Sequence, residues 1–110
     1  MAKILLFRQE REWEQFHETR NLFIALVGEV GELGSLFQWQ RTEELERWLD
    51  EPTNKENSAE ELADILIYLL LLSHSMEVDL GQAVISKLKK NAEKYPVLSS
   101  RGSRRKYTEL

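Results

Sequence analysis

The sequence predicts an all-α fold, a bundle of four helices, and three observations predict it. Proline occurs only at Pro52 and Pro96, and glycine only five times, so the residues that punctuate strand-and-turn folds are few. No β-branched run bounded by turn dipeptides is present. Apolar residues instead recur at three- and four-residue spacing. With 110 residues the chain suits one domain whose small core association would help stabilise.

Residues 7–17 carry Phe7, Trp13 and Phe16 among charged neighbours and read as a short amphipathic helix. Asn21 is placed to cap a second helix over residues 22–40. The polar stretch 41–57, with Trp48, Leu49 and Pro52, is a connection or a short extra helix. A third helix starts at one of two capping boxes, Thr53 with Glu56 or Ser58 with Glu61, and continues to Met76. It is apolar nearly all round over residues 65–72, so it should be buried on several sides, in the monomer or in an oligomer. Asp79 with Gln82 caps the fourth helix, which Pro96 ends. Residues 1–98 then form the helical domain. Residues 99–110, with Arg101, Arg104, Arg105 and Lys106, form a basic tail that is a mobile arm or a flap ordering on a partner or ligand.

Composition excludes several functions. Fifteen Lys and Arg against nineteen Asp and Glu give a net charge of −4, which argues against a nucleic-acid polymer as partner. The absence of cysteine removes disulfides, thiolate zinc sites and cysteine nucleophiles. The apolar run 65–72 is far short of the roughly 20 residues a membrane span needs. Residues 1–8 run straight into charged sequence and do not read as a signal peptide. A soluble, cytoplasmic protein without membrane partners is the expectation.

The acids fall where acids are least expected. Leu22, Leu26, Leu33 and Leu36 share one stripe of the second helix, with Glu29 in its middle and Glu32 on its edge. Gly28, Gly31 and Gly34 punctuate that helix at a cost of about 1 kcal/mol each against alanine, as if backbone or ligand approached closely. On the third helix Glu61 and Asp64 share a face with Ile65, Tyr68 and Leu72. Such carboxylates must be protonated, paired or metal-bound. Neither helix offers Lys or Arg on the same face, so a metal is the natural solution, and an all-oxygen donor set suits Mg²⁺ or Mn²⁺ rather than Zn²⁺. Plainer alternatives stand beside this one: Glu61 as the third residue of the Ser58 capping box, Glu60 as a solvated neighbour, and Glu29 and Glu32 turned to solvent.

Other candidates carry less. Glu14 and His17 have the Glu-x-x-His spacing of di-iron bundles, but His74 follows Leu71, so a second motif is missing and a di-iron centre is not expected. His17 then serves as a capping, packing or ligand-contact residue. Asn91 and Tyr95 continue the stripe of Val84 and Leu88 and should point inward, the tyrosine into the core and the asparagine toward something polar. Trp13 and Trp39 read first as core, although an aromatic face beside a phosphate site can stack on a base. P-loop, nucleophile-elbow and dinucleotide glycine motifs are missing.

At these residues the chain resembles a known family. Leu26-Val-Gly-Glu-Val-Gly-Glu-Leu33 followed by Glu60-Glu-Leu-Ala-Asp-Ile-Leu-Ile-Tyr68 is similar to the E-x-x-E and E-x-x-D pair of the all-α nucleoside triphosphate pyrophosphohydrolases, the MazG-like group. The likeness is closer still to its dCTP pyrophosphatase branch. It rests on Arg11-Glu-Trp-Glu-Gln-Phe-His17, Leu36-Phe-Gln-Trp39, Asp79-Leu-Gly-Gln-Ala-Val-Ile-Ser-Lys87, Lys94-Tyr-Pro-Val97, Arg101-Gly-Ser and Lys106-Tyr-Thr. It extends over residues 8–110, leaving residues 1–7 unaligned and the 41–57 connection without a matching pattern.

The resemblance implies that Glu29, Glu32, Glu61 and Asp64 hold Mg²⁺, with Mn²⁺ as a substitute. It implies cleavage of a nucleoside triphosphate between its α and β phosphates, with Glu29 or Glu32 orienting the attacking water. By position Trp13, His17, Trp39, Tyr68, Asn91 and Tyr95 would surround the nucleotide, Trp39 as the stacking residue and Asn91 as a polar contact. It further implies a homo-oligomer, a tetramer or alternatively a dimer, with sites near subunit interfaces. The expected activity is dCTP cleavage in nucleotide-pool sanitation. The alternatives are the same chemistry on dUTP, dATP or a modified base, and a non-catalytic helical interaction module.

Overall fold

The computed structural model describes residues 1–102 and 104, and every regular element among them is helical. In chain order these are α1 (Ala2–Glu10), a 3₁₀ turn (Trp13–Phe16), α2 (Thr19–Phe37), α3 (Thr42–Asp50), α4 (Pro52–Ser75), α5 (Leu80–Lys94) and α6 (Val97–Ser100). The all-α expectation holds, but the expected count of four does not describe the chain. The polar 41–57 stretch supplies a full helix, and α6 adds a single turn after Pro96. The chain divides into two compact units, Met1–Glu77 and Val78–Leu110.

In the first unit, α2 and α4 form an antiparallel pair. The hydroxyls of Thr19 and Ser75 hydrogen-bond, joining the start of α2 to the end of α4. Leu22 on α2 and Leu71 on α4, 1% and 3% exposed, are the buried hydrophobic residues of the pair. Leu26, Leu33 and Leu36 continue the expected stripe of α2 in half-buried positions.

Helix ends depart from expectation for identifiable reasons. The segment read as one helix over 7–17 is broken at Glu12, whose φ of 54° places it in the left-handed region. The N–H groups of Arg11 and Glu12 satisfy the last carbonyls of α1, and the reversal lets Trp13 meet Phe7 edge-on at 5.7 Å. Asn21 does not cap α2. Glu18 holds the N-cap position, while the Asn21 amide donates to the Phe16 carbonyl at 3.3 Å. α2 stops at Phe37, short of residue 40, where the Gln40 side chain donates to the Leu36 carbonyl at 2.7 Å.

α3 has its own signals. Glu43 and Glu44 lie at the positive end of its dipole and Arg47 at the negative end. Its Trp48 ring packs edge-on against Phe37 at 6.5 Å, and Asn54 of α4 donates to the Trp48 carbonyl at 2.9 Å. α4 begins at Pro52, before both expected capping boxes, because proline is pre-organised for the first helical position. Ser58 is therefore inside the helix and buried, and Glu61 is not a capping residue. The apolar belt of α4 is not covered on all sides in the single chain: Leu66 is 52% exposed.

The second unit is α5 with α6. Asp79 accepts a hydrogen bond from the Gln82 N–H at 3.1 Å, and α5 ends at Lys94 ahead of Pro96, both as expected. Asn91 and Tyr95 are half-buried, whereas Val84 and Leu88 on their stripe are exposed. Of the expected basic tail, Arg101 and Arg104 are exposed, and Arg105 and Lys106 lie outside the described residues. No single helix among the described residues is long and apolar enough to cross a membrane.

Candidate metal centre and adjoining cleft

The antiparallel pairing of α2 and α4 sets the acids against one another. Glu29 and Glu32 lie one turn apart on α2, and Glu61 faces them from α4. One carboxylate oxygen from each of the three falls within 4.8 Å of the others. Asp64 lies one turn further along α4, outside that triad, but close enough for its charge to act on Glu29. Glu29 and Glu61 are half-buried, and Glu32 and Asp64 are exposed.

This crowding has an electrostatic signature. Burial above all, and then the charge of Glu32, push the Glu29 carboxyl up to about 7, with contributions from Glu61 and Asp64. When protonated, Glu29 can donate to Glu61. When ionised, both are acceptors only, and the buried Oε2 atoms of Glu29 and Glu61 have no hydrogen-bond partner among the described residues. No cation pairs with the triad among the described residues. Two orphaned buried oxygens in an all-carboxylate set fit a hard divalent cation. The burial of Glu29 does not fit the reading of a merely solvated acid, whereas Glu32 is exposed.

Beside the acids lies a cleft of about 460 Å³. One wall is a face of α1, formed by Lys3, Ile4, Phe7 and Arg8 at helical spacing. The opposite wall is a face of α4, formed by Asp64, Ile67, Tyr68 and Leu71, and Trp13 with His17 complete the lining. Asp64 therefore belongs both to the acid group and to the cleft. Burial and the charge of Arg8 lower the pKa of His17, which favours the neutral imidazole.

Comparisons with known proteins bear on this arrangement. The sequence model of the MazG-like family matches residues 24–110, a span that includes all four acids. The chain belongs to the MazG-like family. It is 54% identical over 104 residues to dCTP pyrophosphatase 1 of Mus musculus, covering 94% of this chain and 61% of that protein. With dCTP pyrophosphatase 1 of Homo sapiens the identity is 51%, with the same shares covered. The chain thus spans about three fifths of the length of these relatives. Among solved structures it is similar to a pyrophosphatase from Archaeoglobus fulgidus, with a TM-score of 0.80 and 38% identity over 86% of this chain and 87% of that one.

Within this MazG-like chain the expected site residues separate into groups. Glu29, Glu32 and Glu61 converge, and Asp64, Trp13, His17 and Tyr68 share the cleft. Trp39 is 92% exposed, follows the end of α2 with a φ of 68°, and does not line the cleft. Asn91 and Tyr95 belong to the second unit. The three glycines of α2 do not mark a close approach by the chain itself, since a Cβ on Gly28, Gly31 or Gly34 meets nothing within 4 Å. Four cleft residues on α1 were not among the expected set: Lys3, Ile4, Phe7 and Arg8. Their signal was the 3-4-7-8 spacing, hidden because the first helix was begun at residue 7.

Proposed function

We propose that this chain is a divalent-metal-dependent nucleoside triphosphate pyrophosphohydrolase that cleaves dCTP or a related triphosphate to the monophosphate and pyrophosphate. The observation that carries the reading is the unpaired carboxylate triad opening, through Asp64, onto an aromatic-walled cleft. The residues fit Mg²⁺, with Mn²⁺ as an alternative, and Glu29, Glu32, Glu61 and Asp64 are the candidate ligands. When bound, the metal supplies charge neutralisation of the triphosphate and polarisation of the attacked phosphorus. The chain's carboxylates do the rest. Glu29 or Glu32 takes a proton from water, whose oxygen forms the new P–O bond while the bond to the oxygen bridging the α and β phosphates breaks.

Trp13, His17 and Tyr68 line a space suited to the nucleoside, with an aromatic face available to a base. Trp39, Asn91 and Tyr95 are proposed as further nucleotide contacts, Trp39 from a neighbouring subunit or on substrate binding. Residues 1–98 are proposed as the catalytic domain, with residues 99–110 as a basic tail. The 51–54% identity to dCTP pyrophosphatase 1 supports dCTP as the substrate to try first, and a role in pool sanitation and a cytoplasmic setting are proposed with it.

A homo-oligomer, a tetramer or else a dimer, completes the reading. Ile24 and Val27 on α2, Leu62 and Leu66 on α4, and Ile85 and Leu88 on α5 are each more than half exposed, which is apolar surface for other copies to cover. The test is pyrophosphate release from a panel of deoxynucleoside triphosphates with Mg²⁺ and with chelator, run beside light scattering for mass. Release only with metal, from an oligomer, supports the reading. Absence of release from every substrate overturns it.

A further inference from the structure

Two residues that line the cleft, Arg8 and His17, carry buried polar atoms without hydrogen-bond partners among the described residues. These atoms are Arg8 Nε and His17 Nδ1. Arg11, one turn on, shows what an arginine here does for the fold alone. It is exposed, lies 3.6 Å from the centre of the Phe7 ring, and donates to the Phe7 carbonyl at 3.1 Å. Arg8 instead is half-buried and lines the cleft. A buried donor left unpaired is costly, so a ligand presenting an acceptor at that point recovers what the free protein forgoes.

We propose that Arg8 is a specificity-determining residue that reads a nucleobase edge carrying two adjacent acceptors, the O2 and N3 of cytosine. This inference rests on the cleft being a nucleotide site. Arginine Nε–H and one Nη–H form a parallel fork that matches two neighbouring acceptors. Cytosine presents that pair. Uracil and thymine place an N3–H between their carbonyls, so the fork would face a donor, and adenine alternates donor with acceptor along its edge. His17 supports the same choice: its neutral state leaves a ring nitrogen able to accept from the exocyclic amino group that cytosine carries and uracil lacks.

A phosphate is the other ligand that could satisfy Arg8, and the surroundings favour the base. Of the four acids Asp64 alone lines the cleft, and Arg8 shares its wall with Lys3, Ile4 and Phe7, opposite Asp64, Ile67 and Tyr68. A flat ring with stackable faces suits walls that carry Phe7 and Tyr68, and a few polar groups in such a pocket set its orientation and selectivity. A site built to hydrogen-bond one pattern discriminates strongly against the analogue that leaves its groups unpaired.

The experiment compares kcat/KM for dCTP and dUTP, with Mg²⁺, in the wild type, Arg8→Met and Arg8→Lys. Methionine keeps much of the aliphatic stem and removes the fork, and lysine keeps the charge without it. The wild type is expected to prefer dCTP. Arg8→Met should lower kcat/KM for dCTP by about 10- to 100-fold while leaving dUTP within about threefold, the range of one good bidentate contact. Arg8→Lys should lose the same preference, because charge alone does not read the edge. Turnover of dUTP by either variant shows that the fold and the metal centre are intact. Equal losses on dCTP and dUTP, or rescue by lysine, would place Arg8 on a phosphate and overturn the inference while leaving the enzyme reading standing. Pyrophosphate release from neither substrate by the wild type overturns both.

Discussion

Glu29 on α2 and Glu61 on α4 meet across the antiparallel pair, and each keeps one buried carboxylate oxygen without a hydrogen-bond partner among the described residues. Two acids in that relationship repel each other when ionised, and the fold tolerates the repulsion at the centre of its best-packed helices. Occupation by a divalent cation would convert the strain into binding energy.

Replacing either acid by its amide should therefore separate stability from function. Glu29→Gln removes a charge from the triad and lets the amide donate to Glu61, so the metal-free protein should melt a few degrees higher. Turnover should fall by about 100-fold or more, since even outer partners of metal ligands are worth 10- to 100-fold. Thermal melts in chelator beside pyrophosphate release check both halves. A Glu29→Gln variant that melts lower and remains active contradicts the assignment.

Proton and metal should compete at Glu29. Its carboxyl titrates near 7 in the fold and at an ordinary 4.5 when free of it, so the unfolded chain loses that proton first as pH rises. The stability held by protonated Glu29 is complete below about 4.5 and lost as pH rises through about 7. Metal-free protein should thus lose stability across that window. Added Mg²⁺ should stabilise little near pH 5 and increasingly toward pH 8. Melting with and without Mg²⁺ at several pH values measures the two curves, which should diverge above neutrality.

The pair of helices that holds the acids hinges on very few buried residues. Leu22 is 1% exposed, and Leu22→Ala should cost about 2–5 kcal/mol by denaturant unfolding. That is a large share of the roughly 5–15 kcal/mol a domain possesses. The equivalent change at the exposed Val27 should leave the monomer's stability nearly unaffected and weaken the proposed oligomer instead, as sedimentation would show.

Trp13 should act on substrate binding rather than on the metal. Trp13→Ala removes the ring that meets Phe7 at 5.7 Å on the cleft wall, and KM should rise by about 5- to 100-fold, the range of one base–aromatic stack. The Mg²⁺ dependence should not move. A rise in the Mg²⁺ requirement would place Trp13 at the metal centre.

Much of this site was legible in the chain alone. Glu29 stands in a leucine stripe and Glu61 on a face with Tyr68, and helical period brings such faces together whatever the loops do. What escaped reading was local geometry. The reversal at Glu12 requires a positive φ on an ordinary residue, which tertiary contact between Trp13 and Phe7 stabilises and no turn residue announces. The cleft wall of Ile4, Phe7 and Arg8 escapes with it, because α1 starts at Ala2 and not at residue 7. Pro52, which reads as part of the 41–57 connection, starts α4 ahead of both capping boxes.

The most direct measurement is phosphorus NMR of dCTP incubated with the protein and Mg²⁺, repeated in chelator and with Glu61→Gln. The wild type with metal should give dCMP and pyrophosphate in equal amounts, and the other two samples intact dCTP. Orthophosphate with dCDP, or cleavage that survives both the chelator and the substitution, would contradict it.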